Sequence, residues 1–164
     1  MLLLIDGYNL LHSGRPSTPF SSSRLQMERD RLLETLSRYR QIRSLDILVV
    51  FDGWQGGWPT ERKERRKGVE VLFSKAGERA DEVIKRIIQE KGSGVVVVSS
   101  DREIGSFANR RSVAVVSSEA FRERLSAIDS GGEERLAEET EERERPGRRL
   151  SKRERRTRMA LKRL

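Results

Sequence analysis

The chain has 164 residues, of which 35% are hydrophobic and 37% charged, and its formal net charge is +8. This length suits one compact domain with its own core. Because the chain has no cysteine and only one histidine, His12, disulfides, thiolate-bound zinc, iron–sulfur clusters and a cysteine nucleophile are excluded, and an imidazole zinc site is disfavoured.

Strand-like and helix-like segments alternate along the first 128 residues. Short apolar runs predict strands, and apolar residues at helical spacing predict helices between them. This alternation is typical of a parallel α/β sheet with right-handed crossovers. The predicted strands cover residues 2–5, 47–51, 69–73, 95–99 and 113–116, and the predicted helices cover residues 22–39, the stretch from 81, 101–109 and 118–128.

No apolar run reaches the roughly 18 to 20 residues that a membrane span requires. The apolar stretch Leu2–Ile5 is short and has no basic segment before it, which is unlike a secretory signal. We therefore expect a cytoplasmic protein.

The last 36 residues differ in character from the rest. Residues 129–144 carry eight acidic and two basic groups, and residues 145–164 carry ten basic groups and one acidic group. We therefore divide the chain into a domain at 1–128 and a charged tail at 129–164, which is disordered or conditionally helical. Clustered lysine and arginine bind phosphate backbones through counterion release, so RNA or DNA is the expected partner class.

Three aspartates follow predicted strands, and a fourth opens a helix. Asp6 and Asp52 come directly after apolar runs, Asp101 follows the next run by two serines, and Asp81 lies at the start of the helix between them. The carboxyl ends of parallel strands share one edge of the sheet, so these carboxylates should converge there. Carboxylate oxygens are ligands that Mg²⁺ and Mn²⁺ prefer. The pattern predicts a metal-dependent phosphoryl-transfer site, although any one of these aspartates alone could simply cap a helix or a turn.

A loop with two tryptophans and a basic run follows the second strand. Trp54 and Trp58 could stack on unpaired bases, although one of them could instead cover the edge of the core. The candidate RNA-binding cations after them are Arg62, Lys63, Arg65, Arg66 and Lys67. This combination favours a groove for single-stranded RNA over an ordinary solvated surface.

Four motifs in this order resemble the YacP-like branch of the NYN-domain ribonucleases, which share the PIN-like fold. They are Leu3–Asn9, Val49–Asp52, Phe73–Asp81 and Ser99–Arg102. The resemblance covers residues 1–128 and implies a three-layer α/β fold around a central, mostly parallel sheet of about five strands.

The resemblance also implies a metal-dependent endoribonuclease with Mg²⁺ or Mn²⁺ as cofactor. Its catalytic residues would be Asp6, Asp52, Asp81 and Asp101, with Asn9 supporting them. Members of this branch are linked with RNA turnover and translation, so ribosome-bound RNA becomes a candidate substrate and the ribosome a candidate partner.

Several neighbouring residues have roles that the sequence leaves open. Glu78 and Glu82 are candidates for an extra acidic ligand, and Arg79 and Arg102 are candidates for RNA binding. Arg79 departs from the pattern of the family, and it could either pair with a site carboxylate or hold a phosphate. Ser99 and Ser100 could satisfy backbone groups or orient Asp101.

Two rival functions use the same features differently. In the first, the acidic cluster is vestigial and the protein is an RNA-binding adaptor that works through its basic loop and tail. In the second, the chain is a phosphotransfer receiver or a phosphatase-like domain. The second rival would need an Asp-x-Asp motif or a lysine at the end of the fifth strand, and the sequence has neither.

Overall fold

A six-stranded sheet forms the centre of the protein. The computed structural model describes residues 1–14, 21–53, 58–129 and 151–164, except the side chains of residues 128 and 129. The strand order is β3-β4-β2-β1-β5-β6, and only the β3–β4 pair is antiparallel. The strands are β1 (Leu2–Asp6), β2 (Asp46–Phe51), β3 (Arg62–Arg66), β4 (Val69–Phe73), β5 (Val95–Val98) and β6 (Ala114–Val116).

Helices cover both faces of this sheet. They are α1 (Gly7–His12), α2 (Ser22–Arg43), α3 (Ala80–Lys91), α4 (Arg102–Arg110), α5 (Ser118–Asp129) and α6 (Lys152–Arg163), with a 3₁₀ turn at Gly92–Gly94. None of the helices within the described ranges is both long and apolar enough to cross a membrane.

The core has two layers because successive residues of a strand point to opposite faces of the sheet. On one face, Leu3 and Ile5 of β1 pack with α1, α2, α5 and α6. On the other face, Leu4 packs with the apolar sides of α3 and α4. The predicted three-layer α/β fold is therefore confirmed.

The chain reverses its direction of travel across the sheet beside β1. It first moves outward from β1 to β2 and β4, and later continues on the other side of β1 through β5 and β6. In register, Ile5 lies opposite both Val49 and Val98, so Asp6 ends the central strand at this switch point. Crevices at such points are where open α/β sheets bind ligands.

The basic run is a strand, which the sequence analysis did not predict. Arg62–Arg66 pairs antiparallel with β4, and Glu64 lies opposite Val71. Charged side chains on a strand at the edge of a sheet discourage pairing with another chain. This explains why a run made up of charged residues is placed there.

The C-terminal end also differs from the expectation of a tail outside the domain. Ser151 and Glu154 form a capping box that begins α6, and Ala160 and Leu164 are buried in the core. The Thr157 hydroxyl donates to the Val115 carbonyl of β6 at 2.9 Å. Residues 151–164 are therefore part of the domain, whereas the predicted acidic linker lies almost wholly outside the described residues.

Candidate active site

Asp6 is the central carboxylate of the switch point. Its side chain accepts hydrogen bonds from the Asn9 backbone N–H at 3.2 Å and from the Ser99 hydroxyl at 3.0 Å. Only 7% of the residue is exposed. Burial raises the pKa of Asp6 to about 6; the two hydrogen bonds oppose this shift, while the charges of Asp81 and Asp52 add to it.

Asn9 holds three elements together beneath this carboxylate. Its Oδ1 accepts from the Ser100 backbone N–H at 2.9 Å and from the Ser118 hydroxyl at 2.6 Å. These bonds tie α1 to the end of β5 and to the start of α5. The structure therefore places Asn9 as a brace of the site, with its amide oxygen already in use.

Gly7 allows α1 to begin so close to the sheet. A Cβ atom at this position would lie 2.3 Å from the Phe51 ring, which is far inside van der Waals contact. Only glycine lets the chain turn directly from Asp6 into a helix here.

Asp101 begins α4. Its Oδ1 accepts from the backbone N–H groups of Glu103 at 2.7 Å and Ile104 at 3.0 Å. Its own backbone N–H donates to the Ser99 hydroxyl at 3.1 Å. The Ser99 hydroxyl therefore bonds both to Asp6 and to the backbone of Asp101, and the residue is only 3% exposed. This buried hydroxyl sets the relative position of the two site aspartates.

Ser100 extends this network toward α5. Its hydroxyl lies 2.5 Å from Glu119 Oε2, which lowers the pKa of Glu119. The same hydroxyl accepts from the Ser118 backbone N–H at 3.0 Å. Both serines thus satisfy backbone groups and orient side chains at once.

Asp52 and Asp81 line the other side of the crevice. Asp52 Oδ1 accepts from the Ala80 backbone N–H at 2.6 Å and so fixes the start of α3. Burial raises the pKa of Asp81, and Arg79 and Lys85 counter this shift while Asp101 and Asp52 reinforce it.

Arg79 forms an ion pair with one of the site carboxylates. Its Nη2 lies 3.1 Å from Asp81 Oδ2, and the two side chains are 72% and 15% exposed. Such an exposed guanidinium contributes little to stability. It does place a removable positive charge beside Asp81.

The donor chemistry of the crevice fits a hard divalent cation. The four aspartates feel one another's charge, Asp6 through Asp81 and Asp52, and Asp81 through Asp101 and Asp52. They offer oxygen ligands of the kind that Mg²⁺ and Mn²⁺ prefer. As positioned, no three acidic or histidine side chains of the described residues lie close enough to hold a metal ion. A cation would therefore have to draw these carboxylates together.

The two glutamates considered as extra ligands are engaged elsewhere. Glu82 accepts from the Arg79 backbone N–H at 3.3 Å and completes the cap of α3. Glu78 Oε1 pairs with Arg86 at 2.7 Å, and Arg86 also pairs with Glu61.

The basic strand leads away from the crevice. Arg62 lies opposite Phe73, where β4 ends beside the site, but Arg66 lies opposite Val69 at the far edge of the sheet. Arg65 is next to Arg66 on the strand. The crevice and the far end of this basic run therefore lie at opposite edges of the sheet.

Ion pairs already engage several of these cations. Arg62 contacts Glu64 at 2.8 Å, Arg66 contacts Asp30 at 2.8 Å, and Lys67 contacts Glu34 at 2.8 Å. Lys63 and Arg65 lie on the opposite face of β3 from Arg62 and Arg66, since side chains alternate along a strand. Arg102 is exposed at the start of α4, next to Asp101.

Of the two tryptophans in the loop after β2, the structure describes only Trp58. Trp54 lies outside the described residues. The Trp58 ring is 5.6 Å from the Phe73 ring in an edge contact, and Arg62 lies 4.7 Å from the Trp58 centroid. Trp58 therefore covers the edge of the core beside the crevice.

Sequence reasoning missed a cation under the Asp52 side of the site. The Arg29 guanidinium lies 5.6 Å from the Phe73 ring centroid and 5.9 Å from that of Phe51. It also lowers the pKa of Tyr8, which burial and Asp52 raise. Tyr8 belongs to the first quoted motif, whereas nothing in the charged sequence of α2 distinguishes Arg29 from its neighbours.

The sheet with helices on both faces and carboxylates at its switch point defines a PIN-like α/β domain. The family model described as the YacP-like NYN domain matches residues 3–163. The chain belongs to this family, and membership indicates a nuclease-like, RNA-related function. The match also takes in α6, so the family domain extends beyond the predicted limit at residue 128.

Individual relatives agree with this assignment. The chain is 31% identical over 90 residues to a Bacillus subtilis (strain 168) protein named "Uncharacterized protein YacP", an alignment that covers 54% of this chain and 51% of that relative. It thus spans about half the length of that curated relative.

Solved structures share the fold over most of the chain. The crystal structure of Rae1 (YacP) from Bacillus subtilis, as the W164L mutant, has a TM-score of 0.66 and 23% identity, with 87% of this chain and 85% of that chain covered. A second Rae1 (YacP) crystal structure gives a TM-score of 0.64 and 24% identity over 87% and 83% of the two chains.

Proposed function

We propose that the protein is a metal-dependent endoribonuclease that hydrolyses phosphodiester bonds of single-stranded RNA in the cytoplasm. The observation that carries this proposal is the gathering of four aspartates at the switch point, where burial and mutual repulsion raise the pKa of Asp6 and Asp81. Maintaining such repulsion costs stability, and a bound cation would relieve it.

Asp6, Asp52, Asp81 and Asp101 would hold Mg²⁺ or Mn²⁺. When bound, the ion supplies an activated water and neutralises charge on the phosphate. The protein's own part is to hold the carboxylates in place. Ser99 fixes Asp6 relative to Asp101, and Asn9 ties the surrounding elements together.

The site does not require a protein nucleophile. Ser99 is the hydroxyl nearest the carboxylates, but it is buried and bonded on both sides. Its Oγ donates to Asp6 and accepts from the Asp101 backbone N–H, so it is not free to attack a phosphate. Attack by water on the phosphate is therefore the reaction that this arrangement supports best.

The exposed cations around the crevice bind the phosphate backbone of the RNA. Arg102 lies directly beside Asp101, and Arg62 marks the other border of the site. Arg79 would exchange Asp81 for a phosphate when a metal takes over that carboxylate. RNA displayed by a ribosome is included among the proposed substrates.

Cleavage of a labelled single-stranded RNA by the full chain tests this function. The assay compares Mg²⁺, Mn²⁺ and EDTA for the wild type, for Asp6→Asn with Asp101→Asn, and for Asp46→Asn as the matched control. Asp46 is an exposed aspartate at the opposite edge of the sheet. We expect cutting that requires metal, that the double variant loses by at least about 100-fold, and that Asp46→Asn keeps.

The second candidate is an RNA-binding adaptor. The observation that favours it is that no three acidic side chains of the described residues are grouped closely enough for a metal. Tight RNA binding with no cutting in either metal, on free RNA and on ribosome-bound message alike, would establish the adaptor instead.

A further inference from the structure

We propose that the groove between α4, α5 and α6 holds the RNA strand that runs away from the acidic crevice, and that it grips the backbone without reading bases. This inference rests on the proposed function. It assigns to α6 a specific path for RNA, which begins at Asp101 and passes Arg153 and Arg158.

The groove begins within the candidate active site. Ser99, Ser100 and Asp101 form one end of its lining, and Arg102 and Gly105 of α4 continue it. A strand whose scissile phosphate sits at the carboxylates would therefore enter this groove directly. The groove has a volume of about 1350 Å³, which exceeds the ~300–1,000 Å³ of small-molecule sites. Its size suits a polymer.

One side of α6 faces this groove. Arg153, Thr157, Arg158 and Leu161 line it, while Ala160 is buried in the core. Another side of the helix, with Arg156 and Met159, lines a separate cavity at the other edge of the sheet. The docking of α6 on β6 thus determines which cations of α6 face the groove.

The groove lining holds three arginines, Arg102, Arg153 and Arg158, and three acidic residues, so the excess positive charge beside it comes from the rest of the segment that carries α6. Arg102 and Arg153 are exposed. Hydrogen bonds hold two of these carboxylates in place, Glu119 from the Ser100 hydroxyl and Glu154 from the Ser151 backbone N–H at 2.7 Å, and both keep their negative charge. Residues 151–164 as a whole carry seven basic groups and one acidic group. A phosphate backbone is the ligand that such a surface attracts.

The chemistry of the lining points to the backbone of a nucleic acid. Exposed serine side chains are spread along it, namely Ser100, Ser106, Ser117 and Ser151. Hydroxyls and arginines are typical contacts to phosphate and sugar. None of the described residues that line the groove is aromatic, so bases would lack the stacking platforms found in many single-strand sites. Binding should therefore depend little on base sequence.

Two double variants of equal charge test this path. Arg153→Ala with Arg158→Ala removes two groove cations, and Arg155→Ala with Lys162→Ala removes two exposed cations of α6 that do not line the groove. Affinity for a labelled single-stranded RNA is measured by fluorescence anisotropy between 50 and 300 mM KCl. EDTA is present, so that the test works whether or not the protein cuts RNA.

We expect the groove variant to bind at least about fivefold more weakly at 100 mM salt, with a salt slope smaller by about 1.4, because two phosphate contacts are lost. The control variant should stay within about twofold of the wild type, and uridine and adenosine homopolymers within about threefold of each other. Equal losses in the two variants, or a strong base preference, would overturn the groove.

A steric test leaves α6 and its charges untouched. Gly105 lines the groove, and a Cβ atom there would meet no heavy atom within 4 Å outside its own helix. Gly105→Ala should therefore bind RNA as the wild type does, whereas Gly105→Trp should weaken binding at least about fivefold. Unchanged binding by folded Gly105→Trp would refute the path.

These outcomes separate the two proposals. If the wild type fails to cut RNA in any metal but the groove variants bind more weakly as expected, the groove stands and the nuclease fails. If the wild type cuts RNA while the groove variants bind and cut normally, the nuclease stands and the groove fails.

Discussion

Asp6→Asn should stabilise the protein at neutral pH, even though it should abolish function. Asp6 is buried, and its pKa in the folded state is about 6, whereas an unfolded aspartate ionises near 3.9. The folded protein therefore holds a proton on Asp6 more tightly than the unfolded chain does. Stability from this group is present at low pH and is lost as pH rises from about 4 to about 6.

The difference between the two pKa values is about two units, so ionised Asp6 costs about 3 kcal/mol at pH 7. An asparagine avoids this cost and can still accept from the Asn9 backbone N–H, but it weakens the bond with Ser99. Weakening this hydrogen bond costs about 1 kcal/mol, which offsets part of the gain. The expected net gain at pH 7 is therefore about 1–3 kcal/mol. At pH 4.5 the wild-type side chain is protonated in the fold, and the gain should be about 2 kcal/mol smaller.

The measurement is urea unfolding of the wild type and Asp6→Asn in EDTA at pH 4.5 and pH 7. The difference between the two proteins removes the contribution of the other titrating groups. A variant that is less stable than the wild type at pH 7, or a difference that does not change with pH, would refute the reasoning about the buried carboxylate.

Three other perturbations test the packing and the charge of the site. Gly7→Ala should cost about 1–3 kcal/mol, because its Cβ would lie 2.3 Å from a phenylalanine ring of β2; a urea midpoint equal to that of the wild type would contradict this. Leu164→Ala should lower the free energy of unfolding by about 2–5 kcal/mol, because Leu164 is only 1% exposed. Met159→Ala should lower it by less than about 0.5 kcal/mol, because Met159 is 58% exposed. Equal melting temperatures for these two variants would show that α6 does not dock on the domain. Arg79→Gln should raise the pKa of Asp81 further and move the pH profile of metal-dependent cutting to higher pH; an unshifted profile would exclude Arg79 from the electrostatics of the site.

The parallel core of the fold is predictable because its strands are nearly continuous apolar runs. Buried parallel strands have this composition, and runs such as Val95–Val98 end close to polar residues that mark the edge of the sheet. The positions of Asp6 and Asp52 follow from the same logic, since each lies at or just after the end of a strand.

Two elements, β3 and α6, could not be predicted from apolar patterns because few of their residues are buried. Every residue of β3 is charged, so no alternation of apolar residues marks it as a strand. In α6 only Ala160 and the adjacent Leu164 are buried, and one of these is a small residue. Their places are decided by contacts with strands far away in the sequence.

Much of the site's organisation depends on such distant contacts. Ser99 bonds Asp6 across 93 positions, and Ser118 bonds Asn9 across 109. The sequence suggests which residues are chemically suitable, but not which hydroxyl meets which carboxylate. The position of Arg29 over the rings beside Asp52 is hidden for the same reason.

A titration with Mn²⁺, followed in the same samples by electron paramagnetic resonance for bound metal and by gel for cut RNA, tests the central claim most directly. We predict that metal binding and cutting rise together in the wild type and in Asp46→Asn, and that Asp6→Asn and Asp101→Asn weaken both. Cutting at full rate without bound Mn²⁺, or metal binding that these two variants leave unchanged, would contradict the account.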